Sequence, residues 1–228
     1  MSGKRKNVVI LTGAGMSAES GLATFRDSDG LWEGHDVQEV ASPEGFARNP
    51  DLVLEFYNQR RKDLLTAEPN KGHFGLVKLE EKYNVQIITQ NVDDLHERAG
   101  SSNILHLHGE LFKVRSTGAD KSSILHKKDL NIGDKCKDGF QLRPDIVWFG
   151  EMVPAMDLAI PLCQEADIFI VIGTSLLVYP AASLLSIAPI GIPKYIIDPK
   201  IPIINDKGFI SIEKAASEGV AKLLNILL

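Results

Sequence analysis

Short apolar runs alternate with longer stretches of helical character along the chain. Five runs rich in Val, Ile and aromatic residues predict buried strands: Val8–Leu11, Val85–Thr89, Ile146–Phe149, Ile168–Ile172 and Tyr195–Asp198. Helices are predicted over Pro50–Leu65, Gly72–Tyr83, Asp93–Ala99, Ala155–Ala166, Ala181–Ile187 and Ala215–Leu228. The first of them places Leu54, Tyr57, Arg61 and Leu65 on one face. The alternation predicts an α/β fold, with an open, mostly parallel sheet and helices on both faces.

Two segments interrupt this alternation. Residues Ser28–Ser42 carry scattered glycines and charges without a clear period, and they are predicted to form a long loop. Residues Lys113–Leu142 are polar and contain three glycines, which predicts a small inserted lobe. Basic residues outnumber acidic ones in this lobe, but a solvated loop is the favoured interpretation over a binding patch.

Composition excludes several classes of protein. The chain has 228 residues, of which 44% are hydrophobic and 24% charged, as in one globular domain with a small lobe. The net charge of −5 offers no general attraction for nucleic acid or membranes. Two cysteines, Cys136 and Cys163, make no disulfide framework, and no apolar run is long enough for a membrane span or a signal peptide. We therefore expect a cytoplasmic protein.

A glycine-rich turn follows the first predicted strand. Gly13, Gly15 and Ala18 satisfy the G-x-G-x-x-G/A spacing, in which backbone N–H groups at a helix start approach a pyrophosphate. A tight turn without a ligand is the alternative. An ordinary dinucleotide-binding unit would continue with a second strand, but nothing between Phe25 and Asp36 resembles one. This argues against a dehydrogenase and predicts a loop that closes over the cofactor.

Polar groups also follow the later strands. Gln90, Asn91 and Asp93 could bind ribose hydroxyls and a carboxamide, or could cap a helix. His106 and His108 share one side of an extended segment, where one of them could be a general base or merely a packed residue. The segment Trp148–Pro154 could pair with a peptide, and Gly173–Ser175 offers hydroxyls for ribose or phosphate.

These motifs in this order resemble the sirtuin family of NAD-dependent protein-lysine deacylases. The matching segments are Gly13–Gly21, Thr24–Asp27, Gln90–Asp93, His106–Gly109, Trp148–Glu151 and Gly173–Ser175. The resemblance extends from Val8 to about Ala216. It implies a single catalytic domain over residues 1–228, with a Rossmann-like part and a smaller inserted lobe at about 28–70 and 113–142. NAD would lie between the two parts.

The resemblance also implies a reaction in which NAD is consumed. The acyl carbonyl oxygen of the lysine attacks the ribose, nicotinamide leaves, and His108 acts as general base on a ribose hydroxyl. The products are free lysine and O-acyl-ADP-ribose. Asn91 and Asp93 would orient the nicotinamide ribose and its carboxamide, as the other catalytic residues. The cofactor-binding set is Gly13, Ala14, Gly15, Ser17, Gly21, Phe25, Arg26, Trp32, Gln90, Asn91, Asp93, Gly173, Thr174, Ser175, Asp198 and Ala215.

The expected partners are acylated-lysine proteins or peptides. The sequence leaves the oligomeric state open, with a monomer favoured. The expected contacts of these partners are Tyr57, Arg60, Val147, Phe149, Gly150, Glu151 and Val178. Tyr57 and Arg60 share a helix face and resemble the Tyr-x-x-Arg signature of sirtuins that remove succinyl and malonyl groups. An arginine can hold the terminal carboxylate with two parallel hydrogen bonds. The alternative is that Tyr57 is a core residue and Arg60 a solvated one. The small Ala23 would leave room for a longer acyl group.

The chain departs from the family at the zinc site. Most sirtuins carry two Cys-x-x-Cys pairs, but this chain has neither, and only Cys136 lies in the second region. Structural zinc needs four ligands, so we predict that no metal is bound. The lobe is instead expected to pack around Ile124, Leu125, Leu130 and Ile132.

Two other functions use the same expected scaffold. One is an NAD-dependent mono-ADP-ribosyltransferase, in which a different nucleophile attacks the ribose. The other is a non-catalytic sensor of NAD or ADP-ribose. The intact set of His108, Asn91 and Asp93 argues against the sensor.

Overall fold

The structure is a computed structural model that describes residues 4–23, 31–32, 34–203 and 208–228. Its strands are β1 (Asn7–Thr12), β2 (Leu31–Trp32), β3 (His35–Asp36), β4 (Asn84–Thr89), β5 (Ile104–His106), β6 (Gly109–Ser116), β7 (Ile124–Leu125), β8 (Leu142–Ile146), β9 (Ile168–Ile172), β10 (Lys194–Ile197) and β11 (Phe209–Ile212). Its α-helices are α1 (Val37–Val40), α2 (Pro43–Arg48), α3 (Pro50–Thr66), α4 (Lys71–Leu79), α5 (Leu95–Ala99), α6 (Met156–Gln164), α7 (Leu184–Ile187) and α8 (Ala216–Leu227).

The main sheet has six parallel strands in the order β11-β10-β9-β1-β4-β5. Its central strands are covered on both sides. Val8 and Ile10 of β1 face the layer that contains α4 and α8, whereas Val9 and Leu11 face the layer that contains α6 and α7. Burial of both faces explains the continuous apolar runs of β1 and β9. The predicted α/β architecture is confirmed.

The small lobe contains a three-stranded antiparallel sheet in the order β7-β6-β8, and helices α1 to α3 pack nearby. Its centre is formed by Leu54, Val114 and Leu130. The expected packing around Ile124, Leu125 and Ile132 is wrong, because these side chains are 40%, 69% and 50% exposed. Only Leu130 of the expected set is buried. Apolar character alone did not reveal that the two-residue β7 presents both side chains to solvent.

The third predicted strand is also wrong. Ile146 ends β8 of the small sheet, and the residues after it leave the strand. Their backbone N–H groups bind other segments, from Val147 to the His108 carbonyl and from Phe149 to the Ala41 carbonyl, each at 2.9 Å. The apolar run at 146–149 therefore belongs to a crossing segment between the two sheets.

Three smaller expectations also need correction. The predicted loop at 28–42 contains, within its described residues, the hairpin β2–β3 and the short helix α1. The glycine-rich turn leads into two 3₁₀ turns, Ala14–Met16 and Ala18–Ser20, instead of an α-helix. In α3 it is Leu64 that is buried, whereas Leu65 is 50% exposed.

Helix α3 carries the predicted acyl-binding residues, and its start is well defined locally. Asn49 caps it, with Oδ1 accepting a hydrogen bond from the Leu52 N–H at 3.2 Å, and Pro50 occupies the first turn. Within the described residues, no helix combines the length and the apolar character needed to cross a membrane.

Candidate active site

A cavity of about 330 Å³ lies at the carboxyl ends of the central strands, where the main sheet meets the small lobe. This is the edge at which open parallel sheets bind their ligands. Most of the predicted site residues line it: Gly13, Ala14, Gly15, Ser17, Gly21, Trp32, Tyr57, Arg60, Gln90, Asn91, Asp93, His108, Val147, Phe149, Gly150, Glu151, Gly173, Thr174, Ser175 and Val178. The structure thus brings together residues from distant parts of the sequence.

The glycine-rich turn packs directly against the turn that follows β9. The Gly15 N–H donates to the Gly173 carbonyl at 2.8 Å. A Cβ on Gly15 would lie 2.7 Å from the Gly173 Cα, and one on Gly13 would lie 2.7 Å from the Thr174 Cβ. The glycines are therefore required by the contact between the two turns. The N–H groups of Gly13 and Gly15 donate to the carbonyls of Ile172 and Gly173, so these two donors are engaged within the protein instead of being left for the expected pyrophosphate.

Ser17 links the two polar residues that follow β4. Its hydroxyl donates to Asp93 Oδ2 at 2.9 Å and accepts from Asn91 Nδ2 at 3.1 Å. Asp93 Oδ1 accepts from the Leu95 N–H at 3.2 Å, so Asp93 also serves the start of α5. Burial raises the pKa of Asp93, although both hydrogen bonds oppose the shift. The result is a fixed row of donors and acceptors that fits ribose hydroxyls and a carboxamide.

His108 has the tautomer of a general base. Its Nδ1 lies 3.0 Å from the Gln90 carbonyl oxygen, which can only accept, so Nδ1 carries the proton. The lone pair is then at Nε2. Burial lowers the pKa of His108, and the bond to Gln90 offsets this only in part. The ring is therefore neutral at pH 7 and able to take up a proton.

His106 has a different role from its neighbour. Its Nδ1 lies 3.1 Å from the Asn91 carbonyl oxygen, and its Nε2 lies 2.8 Å from Glu97 Oε1. Burial alone would lower the pKa of His106, but the bond to the Glu97 carboxylate outweighs it and raises the pKa. His106 and His108 thus contact the backbone carbonyls of neighbouring residues, Asn91 and Gln90. The pairing with Glu97 was not predicted, because only the folded chain brings α5 beside β5.

The opposite wall holds the predicted acyl-binding pair. Tyr57 is completely buried, and its hydroxyl oxygen accepts a hydrogen bond from Trp148 Nε1 at 2.9 Å. Burial raises the pKa of Tyr57, so the hydroxyl stays protonated and has its own hydrogen to donate. Arg60 is 17% exposed, and its guanidinium lies 4.9 Å from the centre of the Phe56 ring.

Asp63 is a cavity residue that the sequence reasoning missed. It lies one helical turn after Arg60, and its Oδ2 accepts from Arg60 Nε at 3.2 Å and from Nη2 at 3.1 Å. The i, i+3 spacing on a predicted helix was a signal that could have found it. Arg61, by contrast, is a structural residue. It is 1% exposed, and its Nε donates to the Leu111 carbonyl at 3.1 Å.

Comparisons with known proteins agree with this geometry. The sequence profile of the Sir2 family matches residues 13–180. The chain belongs to the Sir2 family. A Helicobacter pylori relative named NAD-dependent protein deacylase is 63% identical over 195 residues, covering 86% of this chain and 85% of that protein. A Bacteroides thetaiotaomicron relative with the same name is 53% identical over 230 residues and covers 98% of both chains.

Solved structures of Sir2 proteins have the same fold. One, described as the crystal structure of a Sir2 homolog–NAD complex, is 41% identical, with a TM-score of 0.88 over 98% of this chain and 90% of that chain. Another, a complex of Sir2 with a p53 peptide and NAD⁺, is 32% identical, with a TM-score of 0.81 over 97% and 93%. The predicted family, its Rossmann-like fold and NAD as its cofactor are confirmed.

Some predicted Sir2 contacts lie elsewhere or outside the described residues. Asp198 follows β10 and is 1% exposed, with Oδ1 accepting from the Lys200 N–H at 2.9 Å. Ala215 caps α8. Neither is among the described residues that line the cavity, so their contact with adenosine stays a prediction. Phe25 and Arg26 lie outside the described residues.

In the segment predicted to pair with a peptide, several hydrogen-bonding groups are already bonded to other parts of the protein. Glu151 accepts from Arg143 Nη1 at 2.6 Å and from the Trp148 N–H at 2.8 Å, and its Oε2 lies 3.3 Å from Arg115 Nη2. These bonds hold the segment in place, so the Glu151 side chain is engaged within the protein. The N–H groups of Val147 and Phe149 are used in the crossing segment described above. Gly150 has a φ of +90°, a conformation that favours glycine.

The described residues contain no group of three or more His, Cys, Asp or Glu side chains suited to a metal ion. Cys136 is buried, with Asp120 Oδ2 lying 3.9 Å from its sulfur. Cys163 belongs to the α6 side of the main sheet, away from the small lobe. The absence of zinc stays a prediction.

Proposed function

We propose that this Sir2-family enzyme, an NAD-dependent protein deacylase, acts preferentially on lysines whose acyl group ends in a carboxylate, such as succinyl or malonyl. The observation that carries the proposal is the position of Arg60 and Tyr57. They line the same cavity as His108, and both side chains carry hydrogen-bond donors.

NAD supplies a ribose carbon from which nicotinamide can leave. The fit of the residues to NAD rests on Gly13 and Gly15, which line the cavity without side chains, and on the row formed by Ser17, Asn91 and Asp93. In this arrangement, Asn91 and Asp93 orient the ribose and the carboxamide. His108 Nε2 would take the proton from a ribose hydroxyl of bound NAD, because Nδ1 is held as the donor to the Gln90 carbonyl.

Arg60 is, among the described residues that line the cavity, the one with a permanently cationic side chain. A charge-assisted hydrogen bond contributes about 1.5–3 kcal/mol, which corresponds to a discrimination of roughly 10–100-fold. The Tyr57 hydroxyl adds a second donor, since Trp148 occupies only its oxygen. Together these donors favour a terminal carboxylate over the methyl group of an acetyl.

The test compares matched succinyl-lysine and acetyl-lysine peptides with NAD, followed by mass spectrometry. We expect kcat/KM to be higher for the succinyl peptide and to fall about tenfold or more on Arg60→Met, with a much smaller effect on the acetyl peptide. Lys62→Met is the control, because Lys62 lies on the same helix but is 55% exposed and pairs with Asp129.

Preference for the acetyl peptide in the wild-type enzyme would contradict the proposal. Equal losses with both peptides on Arg60→Met would also contradict it, because they would make Arg60 a structural residue. Covalent ADP-ribose on the peptide without loss of the acyl group would favour the ADP-ribosyltransferase instead.

A further inference from the structure

Arg60 already has a carboxylate partner within the protein. Asp63 Oδ2 accepts two hydrogen bonds, from Arg60 Nε and Nη2, and Asp63 Oδ1 accepts one from Gln59 Nε2 at 2.8 Å. Both oxygens of the Asp63 carboxylate are thus engaged. The carboxylate lies in the cavity wall with its side chain 41% exposed. It is therefore close to any group that Arg60 binds.

Arg60 has N–H groups left for a second carboxylate, but the nearby charge of Asp63 makes binding there less favourable. Asp63 occupies the edge of the guanidinium that carries Nε and one hydrogen of Nη2, whereas the edge between Nη1 and Nη2 points elsewhere. An acyl carboxylate that binds this second edge shares one cation with Asp63. The negative charge of Asp63 offsets part of the attraction of Arg60, so the incoming carboxylate is held less strongly than Arg60 alone would hold it.

We propose that Asp63 sets the acyl preference of the enzyme by competing with the acyl carboxylate for Arg60. The inference rests on the proposed function and deepens it. Asp63 weakens the binding of succinyl-lysine and malonyl-lysine. It does not weaken the binding of a neutral acyl group, because such a group does not compete with Asp63 for Arg60. Asp63 therefore makes the preference for carboxylate-bearing acyl groups smaller than Arg60 alone would give.

A purely orienting role for Asp63 predicts the opposite effect. If Asp63 merely held Arg60 in place, its loss would weaken the binding of the succinyl group. However, Arg60 has other support, because its guanidinium lies over the Phe56 ring and its side chain is largely buried. The orientation of Arg60 therefore does not depend on Asp63 alone. We expect the competition between Asp63 and the acyl carboxylate to outweigh any orienting effect of Asp63.

The test is the Asp63→Asn variant, which removes the charge but keeps the size and an acceptor for Gln59. We expect the KM for the succinyl peptide to fall by about two- to fivefold, the range of a partly exposed ion pair, with little change in kcat. The succinyl-to-acetyl ratio of kcat/KM should rise accordingly. Glu55→Gln is the matched control, since it removes one negative charge from an exposed position of the same helix and should keep the wild-type ratio.

The results distinguish failure of the inference from failure of the proposed function. A higher KM for the succinyl peptide in Asp63→Asn overturns the inference in favour of orientation, and an unchanged ratio overturns it as well. In the Arg60→Met background, Asp63→Asn should no longer change the ratio. If Arg60→Met alone leaves the succinyl reaction unaffected, the proposed function itself fails. If Arg60→Met is damaging but Asp63→Asn has no effect, only the inference about Asp63 fails.

Discussion

A pair of buried histidines beneath the active site is expected to make the protein sensitive to mild acid. His73 of α4 and His96 of α5 are both completely inaccessible, and their ring centres lie 4.9 Å apart. His73 Nδ1 accepts from the Asn70 N–H at 3.2 Å, and His96 Nε2 lies 3.1 Å from Thr12 Oγ1. Burial lowers the pKa of His73 to about 4 and holds that of His96 well below its usual value.

The magnitude follows from the difference between the folded and unfolded pKa. In the unfolded chain His73 has a pKa of about 6.5, so below that pH the unfolded state takes up a proton that the folded state refuses. The contribution of neutral His73 to the free energy of unfolding is therefore fully present above pH 6.5 and is lost as the pH falls towards 4. Between pH 7.5 and pH 5.5, His73 alone costs about 1.3 kcal/mol of the free energy of unfolding. His96 adds a loss of the same sign.

The assay is denaturant unfolding at the two pH values. His73→Gln removes the titrating group, and glutamine at this third helical position can still accept the Asn70 N–H. The wild type should lose about 1.3 kcal/mol more than the variant over this pH interval. His126→Gln, which replaces a half-buried histidine outside this pair, is the control and should match the wild type.

Equal losses in the wild type and His73→Gln would refute this explanation, because the buried ring would then not resist protonation. The comparison uses the change with pH within each protein. A uniform loss of stability in the variant therefore does not affect the conclusion. If His73→Gln does not fold, His96→Gln provides the same test, since its folded pKa is lowered for the same reason.

Three further predictions concern the site. His108→Ala should lower kcat about 10²–10⁴-fold, whereas NAD binding, measured by calorimetry, should persist. In the wild type, kcat/KM should fall only below about pH 6.5, because burial lowers the pKa of His108. Trp148→Phe removes the donor to the Tyr57 hydroxyl and should raise the KM for the succinyl peptide about fivefold, with less effect on the acetyl peptide. Gly15→Ala places a Cβ 2.7 Å from the Gly173 Cα and should cost about 1–3 kcal/mol in denaturant unfolding.

The parts of the fold that were predictable are those where burial is complete. Strands β1 and β9 have apolar residues on both faces, so their sequences contain uninterrupted apolar runs. Strand β11, at the edge of the sheet, was not predicted because Ile210 is 51% exposed and Ser211 is exposed too. The run at 146–149 misled because Ile146 and Trp148 are buried where the chain leaves β8, so apolar character there does not mark a strand.

The site residues were predictable where polar side chains come directly after a strand in the sequence. Gln90, Asn91 and Asp93 come immediately after β4, and parallel strands bring such residues to one edge. The contact between Trp148 and Tyr57 was not predictable, because the two residues lie 91 positions apart and meet only through packing of the small lobe. The tautomer of His108 likewise depends on a backbone atom that no residue pattern identifies.

The carbonyl oxygen of residue 90, which fixes the tautomer of His108, affects which amino-acid substitutions the site tolerates. The carbonyl of residue 90 that holds His108 Nδ1 belongs to the main chain, and the N–H of the same residue donates to the Thr12 carbonyl at 2.9 Å. Every amino acid supplies that carbonyl, so no substitution at position 90 can delete the acceptor itself. The orientation of the His108 ring therefore does not depend on which amino acid occupies position 90. The Gln90 side chain, which donates to Thr174 Oγ1 at 3.1 Å, remains free to change with the ligand that it faces.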